Sequence, residues 1–251
     1  MNRIERQLKI RQEVNSKGRV KAINLVERFG VTPETIRRDL NEMEKEGLLE
    51  KIHGGAVSLV PVENILSERF DENSAEKKDI AQKVTGLIKP AQHILIDFGS
   101  TTLAVAEELH KIDDLTIYTN SHVIVQAIAA GGNPTQSIHM LGGHYLPKLR
   151  ANHGYETINS INKIMADVAI VGIAAVNEDH GLMVVNPDEA AVAESMLDNA
   201  KTKIIVGDSS KYFKLGPHKI ARMVDVDYFV GSDKENDAMN RLCEKSKVEY
   251  L

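Results

Sequence analysis

The sequence predicts an α/β protein in two parts: a small, mainly helical module at the N-terminus, joined to a larger α/β domain with a largely parallel sheet. Three observations predict it. Residues 1–57 carry 12 Lys/Arg against 9 Asp/Glu, net +3, while the remainder carries 19 against 27, net −8. Apolar residues in the first part recur at helical spacing, whereas from residue 93 short β-like runs alternate with helical segments. At 251 residues the chain also exceeds the common single-domain size.

Composition narrows the class. Hydrophobic residues make up 42% and charged residues 27%, enough to build a sizeable core. Aromatics are 4% with no Trp, which argues against aromatic stacking on bases. A single cysteine, Cys243, excludes an internal disulfide framework and a Cys-based zinc site. The start, "NRIERQLKIRQ", is too charged for a signal peptide, and the longest apolar run, "ADVAIVGIAAV", falls short of the roughly 20 residues needed to span a bilayer. The expected compartment is the cytoplasm.

Three helical patterns open the chain. Ile4, Leu8, Arg11 and Val14 trace one face of the first, ended by Gly18; Ala22, Ile23, Val26 and Phe29 mark a second, stopped at Gly30. Thr32 is the N-cap and Pro33 the first residue of a third, in which Ile36, Leu40 and Met43 face the core and Gly47 closes the helix. Two β-like runs around Gly54-Gly55 then read as a hairpin, or wing. The short "GVT" connection has helix-turn-helix spacing, in which the second helix enters the major groove. With Ile36, Leu40 and Met43 inward, Glu34, Thr35, Arg37, Arg38 and Asn41 point outward. An arginine there either bonds guanine edges or phosphate oxygens with its planar fork, or is a solvated charge paired with Glu34 or Glu42.

"GRVKAINLVERFGVTPETIRRDLNEMEKEGLLEKIHGGAV" resembles the DNA-binding module of the DeoR family of bacterial transcription regulators, through its "TIRRDL" helix, "EGLL" exit and "HGGA" wing. The resemblance implies a winged helix-turn-helix at 1–58 with a recognition helix at 33–46. It places His53, Gly54 and Gly55 in the wing and makes Arg6 and Lys21 phosphate contacts. Thr32, Glu34, Thr35, Arg37, Arg38 and Asn41 complete the expected DNA face.

Residues 59–74, polar and containing Pro61, read as a linker, and 75–251 as the α/β domain, entered through a helix at about 75–88. Its strand candidates are "HILIDFG", "LTIYTN", "SIHMLGG", "ADVAIVG", "KIIVGD" and "DYFVG", separated in several places by helices near 102–110, 121–130, 188–200 and 235–246. In "LIDFGSTTLAVAEEL" a strand runs into Gly99, and Ser100, Thr101 and Thr102 open a helix. Such a turn suits an anion, though it is also an ordinary helix start. Asp97 either accepts from sugar hydroxyls or holds the loop. Further strand ends carry Asn120, Gly142, Gly143 and the "DSSK" that contains Lys211; Asp188 and Glu189 open another helix. In open α/β sheets ligands collect at such carboxyl ends. Neither a Walker loop nor G-x-G-x-x-G follows a strand, so no nucleotide cofactor is expected, and the histidines show no zinc spacing.

"DFGSTT", "TNS", "LGG", "ADVAIVG", "DEAAV" and "DSSK" are similar, in order, to the DeoR-family effector domain, which resembles ribose-5-phosphate isomerase and binds phosphorylated sugars. By that resemblance Ser100, Thr101, Thr102 and Lys211 take the phosphate, and Asp97, Asn120, Asp188 and Glu189 the sugar. The isomerase's acidic stretch corresponds to "VGIAA" at 171–175, which has no carboxylate to serve as base. The family's frequent acidic residue on this strand is replaced by Ala174-Ala175. The expected protein is therefore a repressor of carbohydrate utilisation, a dimer or tetramer, that binds operator DNA and a phosphorylated sugar. The alternative is an isomerase-like enzyme with a DNA-binding appendage.

Overall fold

The computed structural model describes residues 2–59, 66–232 and 236–251, and the chain forms two compact units, Met1–Asn64 and Ile65–Leu251.

In the first unit, α1 (Arg3–Lys17) is capped by Asn2, and β1 (Arg19–Lys21) leads into α2 (Ala22–Phe29). α3 (Pro33–Lys45) begins at Thr32, whose hydroxyl accepts from the Thr35 amide at 3.2 Å. The hairpin of β2 (Glu50–Ile52) and β3 (Gly55–Val57) turns at His53-Gly54, one residue earlier than expected. β3 also pairs with β1, giving the order β1-β3-β2. Gly55 is required there, since a Cβ would lie 2.0 Å from the Val20 carbonyl oxygen. Ile36, Leu40 and Met43 are buried as expected, with Leu25 and Leu49.

Helix α1 corrects one expected face. Ile10 and Val14 are fully buried, while Ile4 and Leu8 are 66% and 54% exposed. Ile23 on α2 is likewise exposed, and Leu25 takes its place inside. Periodicity offered two overlapping apolar stripes on each of these short helices, and packing against α3 selected one.

In the second unit, a 3-10 turn at Leu66–Arg69 precedes α4 (Ser74–Leu87). Leu66 is fully buried and its amide donates to the Lys148 carbonyl, so 66–74, expected as linker, belongs with this unit. The chain continues through β4 (His93–Ile96), α5 (Ser100–Leu109), β5 (Thr116–Thr119), α6 (His122–Gly131) and β6 (Ser137–Met140). A hairpin of β7 (His144–Leu146) and β8 (Ala151–His153) is followed by α7 (Tyr155–Ile161) and β9 (Ala166–Gly172). Next come β10 (Ala175–Asn177), β11 (Gly181–Val184), α8 (Pro187–Asp198), β12 (Ala200–Val206), β13 (His218–Ala221), β14 (Tyr228–Val230), α9 (Asp237–Ser246) and β15 (Glu249–Tyr250).

The main sheet has the order β15-β14-β12-β9-β4-β5-β6 and is parallel throughout. All six expected strands lie in it. Residues such as Ile94, Ile96, Ile117, Ile170 and Ile204 pack one face against α4, α5 and α6. Leu95, Ala169, Val171 and Ile205 pack the other against α8, α9 and the small β10-β11-β13 sheet. Burial on both faces explains why these strands read as continuous apolar runs.

Candidate functional site

On the first unit, α3 has two unlike sides. Asp39 is fully buried and holds Arg6, with Nε at 2.5 Å from Oδ2 and a second bond of 3.2 Å to Oδ1. Arg6, expected to grip a phosphate, is therefore corrected to a buried partner that binds α1 to α3. On the outer side Arg37 donates two bonds of 2.9 Å to the Glu34 carboxylate. These bonds and the Arg37 charge hold Glu34 below the usual carboxylate range. Arg38, also exposed, forms no ion pair or hydrogen bond among the described residues. Of the adjacent arginines, one is tied and one is free.

The remaining expected contacts separate in the same way. Thr32 and Thr35 are joined through their hydroxyls at 2.9 Å, and Asn41 Oδ1 accepts from Lys51 Nζ, which ties α3 to β2. Lys21 and His53 are exposed, and Gly54 (φ 78°) makes the hairpin turn. A groove of about 400 Å³, bounded by Pro33, Arg37, Lys51, His53 and Gly54, separates the start of α3 from the wing.

On the second unit, the sheet register gathers the other candidates. Ile96 pairs with Ile170 and with Thr119, Thr119 with Met140, and Val206 with Gly172 and Val230. The residues that follow these strands therefore share one edge. The strand order reverses between β4 and β9, the switch point where open α/β sheets form a crevice.

At that point Asp97 is buried and its Oδ1 accepts from the Phe98 amide at 2.8 Å. Gly99 adopts φ 153° and ψ 164°, a region restricted in practice to glycine. It starts α5 without a side-chain cap, and Ser100, Thr101 and Thr102 in the first turn are all buried. By contrast Ser121 caps α6 and Asn186 caps α8 with their own side chains. The Thr102 hydroxyl donates to the Gly99 carbonyl at 3.2 Å, and the amides at a helix start present a positive end to an anion.

Asn120 is fully buried, and its Nδ2 donates to the Asn152 carbonyl at 3.1 Å. Gly142 and Gly143 are exposed beside Thr157, whose hydroxyl donates to the Gly142 carbonyl. In the first turn of α8, Asp188 is exposed and Glu189 buried.

Lys211 lies past β12, beside Asp208. Burial pushes its amine down to about 8, against the pull of Asp208, and the charges of Arg69, Lys77 and Lys214 push the same way. Asp208 stays below its ordinary value despite burial because of Lys211, Ser210 and Lys77. The same Asp208 accepts from Asn73 at 3.1 Å, and Glu76 accepts from the Ser209 amide at 2.9 Å, so this loop is fastened to the first turn of α4.

Several residues at this edge escaped sequence reasoning. Lys77 is 4% exposed, donates to the carbonyls of Arg69 and Glu72, and borders an open groove of about 480 Å³ with Ser100. Its signal was a lysine in the buried phase of α4, with Ile80, Ala81 and Val84. Asn152 donates its amide to the Asn120 carbonyl and its Nδ2 to the Leu141 carbonyl, both at 2.8 Å. His153 is 1% exposed, with its ring edge-on to Phe98 at 5.2 Å. Nothing local in "ANH" marks either residue, since the β7-β8 hairpin alone brings them to this edge. Among the described residues no group of three or more His, Cys, Asp or Glu is placed to hold a metal, and no helix is long and apolar enough to cross a membrane.

Comparison with known proteins finds a family domain in each part of the chain. The DeoR-like helix-turn-helix domain matches residues 6–62, and the DeoR C-terminal sensor domain matches residues 72–233. The chain is 32% identical to the transcriptional repressor AccR of Agrobacterium fabrum, over 98% of this chain and 96% of that protein. It is also 32% identical to the glycerol-3-phosphate regulon repressor of Haemophilus influenzae, over 96% and 93% respectively. Among solved structures it is similar to ribose 5-phosphate isomerase A of Methanocaldococcus jannaschii, at 16% identity and a TM-score of 0.40, covering 56% of this chain and 55% of that one.

Proposed function

Because the chain belongs to the DeoR family of DNA-binding transcription regulators, we propose that it is a repressor of a carbohydrate-utilisation operon, controlled by a phosphorylated sugar or related metabolite. One observation carries the effector reading: at the point where strand order reverses, an α5 start with no side-chain cap holds three buried hydroxyls, Ser100, Thr101 and Thr102. Names such as glycerol-3-phosphate regulon repressor among the relatives support the same chemistry. In this reading the hydroxyls and Lys211 hold the phosphate, and Asp97, Asn120, Asp188 and Glu189 line the remainder.

Arg38, with Thr35 and the His53 wing, meets operator DNA, and Lys21 adds a phosphate contact. The second unit acts as a sensor and not as a catalyst, since residues 171–175, which correspond to the isomerase's acidic stretch, carry no carboxylate to serve as base. Helix-turn-helix proteins match two-fold operators as dimers, so the working form is a homo-oligomer, dimer or tetramer, in the cytoplasm. The effector alters operator affinity only to the extent that it binds two states of the protein unequally.

Selecting DNA sites from a random library and titrating the resulting complex with triose, pentose and hexose phosphates tests this. A paired-half-site sequence whose affinity shifts with one of these compounds is expected. Affinity indifferent to all of them defeats the sensor reading, and turnover of any one in a coupled assay defeats the non-catalytic one.

A further inference from the structure

Among the described residues, the Asn120 Oδ1 and the ring nitrogens of His153, buried at the carboxyl edge of the main sheet, have no hydrogen-bond partner. Asn120 Oδ1 accepts no hydrogen bond, although the residue is fully buried and its Nδ2 is engaged. Neither ring nitrogen of His153 has a hydrogen-bond partner among the described residues, and the nearby Ala151 backbone acts on the imidazole only enough to oppose its burial in part. Folded interiors leave few polar atoms in this condition, because each has lost water and gained nothing in return.

The two groups are neighbours by construction. Asn152, which precedes His153, exchanges two hydrogen bonds with Asn120: amide to carbonyl at 2.8 Å, and Asn120 Nδ2 to the Asn152 carbonyl at 3.1 Å. The His153 ring meets Phe98, which lies between Asp97 and Gly99. A Cβ on Gly143 would come 2.7 Å from the His153 carbonyl oxygen, and the Asp188 charge acts on the imidazole. His153 thus borders the loops after β4 and β6 and the first turn of α8.

Its chemistry can be specified further. Burial, helped by His144, keeps the imidazole below its ordinary pKa against the opposing effects of Ala151 and Asp188, so the neutral ring prevails at pH 7. A neutral imidazole has one N–H donor and one acceptor, and the Asn120 oxygen accepts only. A hydroxyl donates and accepts at once and matches this pair. A phosphate only accepts, and is better served by the α5 start and Lys211.

We propose that His153 is a specificity-determining residue of the sensor site, meeting a hydroxyl on the carbon skeleton of a phosphorylated polyol or sugar, with Asn120 Oδ1 as the acceptor beside it. The proposal rests on the sensor reading above. A hydroxyl placed to meet the pair satisfies buried atoms that an analogue lacking it leaves unpaired, which is how such sites discriminate.

Calorimetric titration of the full chain with inorganic phosphate, glycerol 3-phosphate, ribose 5-phosphate and fructose 6-phosphate tests it. In His153→Leu, the best-bound organic phosphate is expected to bind about tenfold more weakly or worse. The ranking of the organic probes should flatten, with inorganic phosphate unchanged. His153→Gln, which restores a donor and an acceptor, should recover part of the loss. His153→Phe, closer in volume and equally unable to hydrogen-bond, carries the same test if Leu is not tolerated. Unchanged affinities and ranking in a folded Leu or Phe variant overturn the proposal while leaving the sensor reading intact. A natural chain that binds none of the four defeats the sensor reading, and the proposal with it.

Discussion

The two units hold their polar groups in opposite ways. In the first, the ion pair that supports the fold is hidden, Arg6 on Asp39, while Arg38 and Lys21 are exposed to solvent. In the second, most of the groups proposed for the ligand are themselves buried, Asp97, Ser100, Thr101, Thr102 and Asn120 among them, while Asp188 is exposed. The difference fits the partners proposed for each unit. DNA is an extended polyanion met by projecting charges whose grip weakens with salt. A small phosphorylated molecule needs enclosed groups, already desolvated and fixed, whose strength depends little on ionic strength.

The largest expected effect breaks the hidden pair. Asp39→Ala strands the Arg6 guanidinium and should destabilise the first unit by about 3–5 kcal/mol in a denaturant titration. Arg6→Met combined with Asp39→Leu should recover most of that loss, since well-packed apolar residues can replace a buried pair. If Asp39→Ala unfolds like the natural chain, this pair is not what secures α1 to α3.

Next, Gly99→Ala forces a Cβ into a backbone region that only glycine adopts readily, 3.1 Å from Thr102 Oγ1. A loss of about 1–3 kcal/mol in the stability of the second unit is expected, together with weaker phosphate binding. Full phosphate affinity in this variant would separate the α5 start from the ligand.

On the exposed side, Arg38→Ala should weaken operator binding about ten- to a hundredfold if it reads a base. Arg37→Ala should cost less, because its fork already lies on Glu34. Binding isotherms at several salt concentrations decide between them: a phosphate contact lowers the salt slope by about one, and a base contact relaxes sequence preference. A larger loss from Arg37→Ala than from Arg38→Ala would reverse the assignment.

The smallest effect is on pH dependence. With its amine brought down to about 8, Lys211 loses its charge as pH rises through that value. Phosphate affinity should therefore fall between pH 7 and pH 9, and binding at pH 8 should take up protons, read as a buffer-dependent heat. A flat profile over that range would remove Lys211 from the phosphate. Cys243, pushed up to about 12 by burial, contributes nothing to titration in this range.

Local sequence determined much of this protein. The cap at Thr32, the stripe of Ile36, Leu40 and Met43, the wing near Gly54, and six strands of the main sheet follow from short-range rules of capping, period and turn chemistry. The α5 start at Gly99 was legible for the same reason. Tertiary structure decided the rest. It chose which apolar stripe of α1 faces inward, and it buried Arg6 against a residue 33 positions away. It added the β7-β8 hairpin, which sets Asn152 and His153 against Asn120, and turned Lys77 inward beside the Lys211 loop. Lys77 carried a local sign, in the buried phase of α4. The Arg6 pair and the seating of the β7-β8 hairpin depend on contacts between segments distant in the chain, where burial and pairing act on groups whose own neighbours in sequence carry no sign of them.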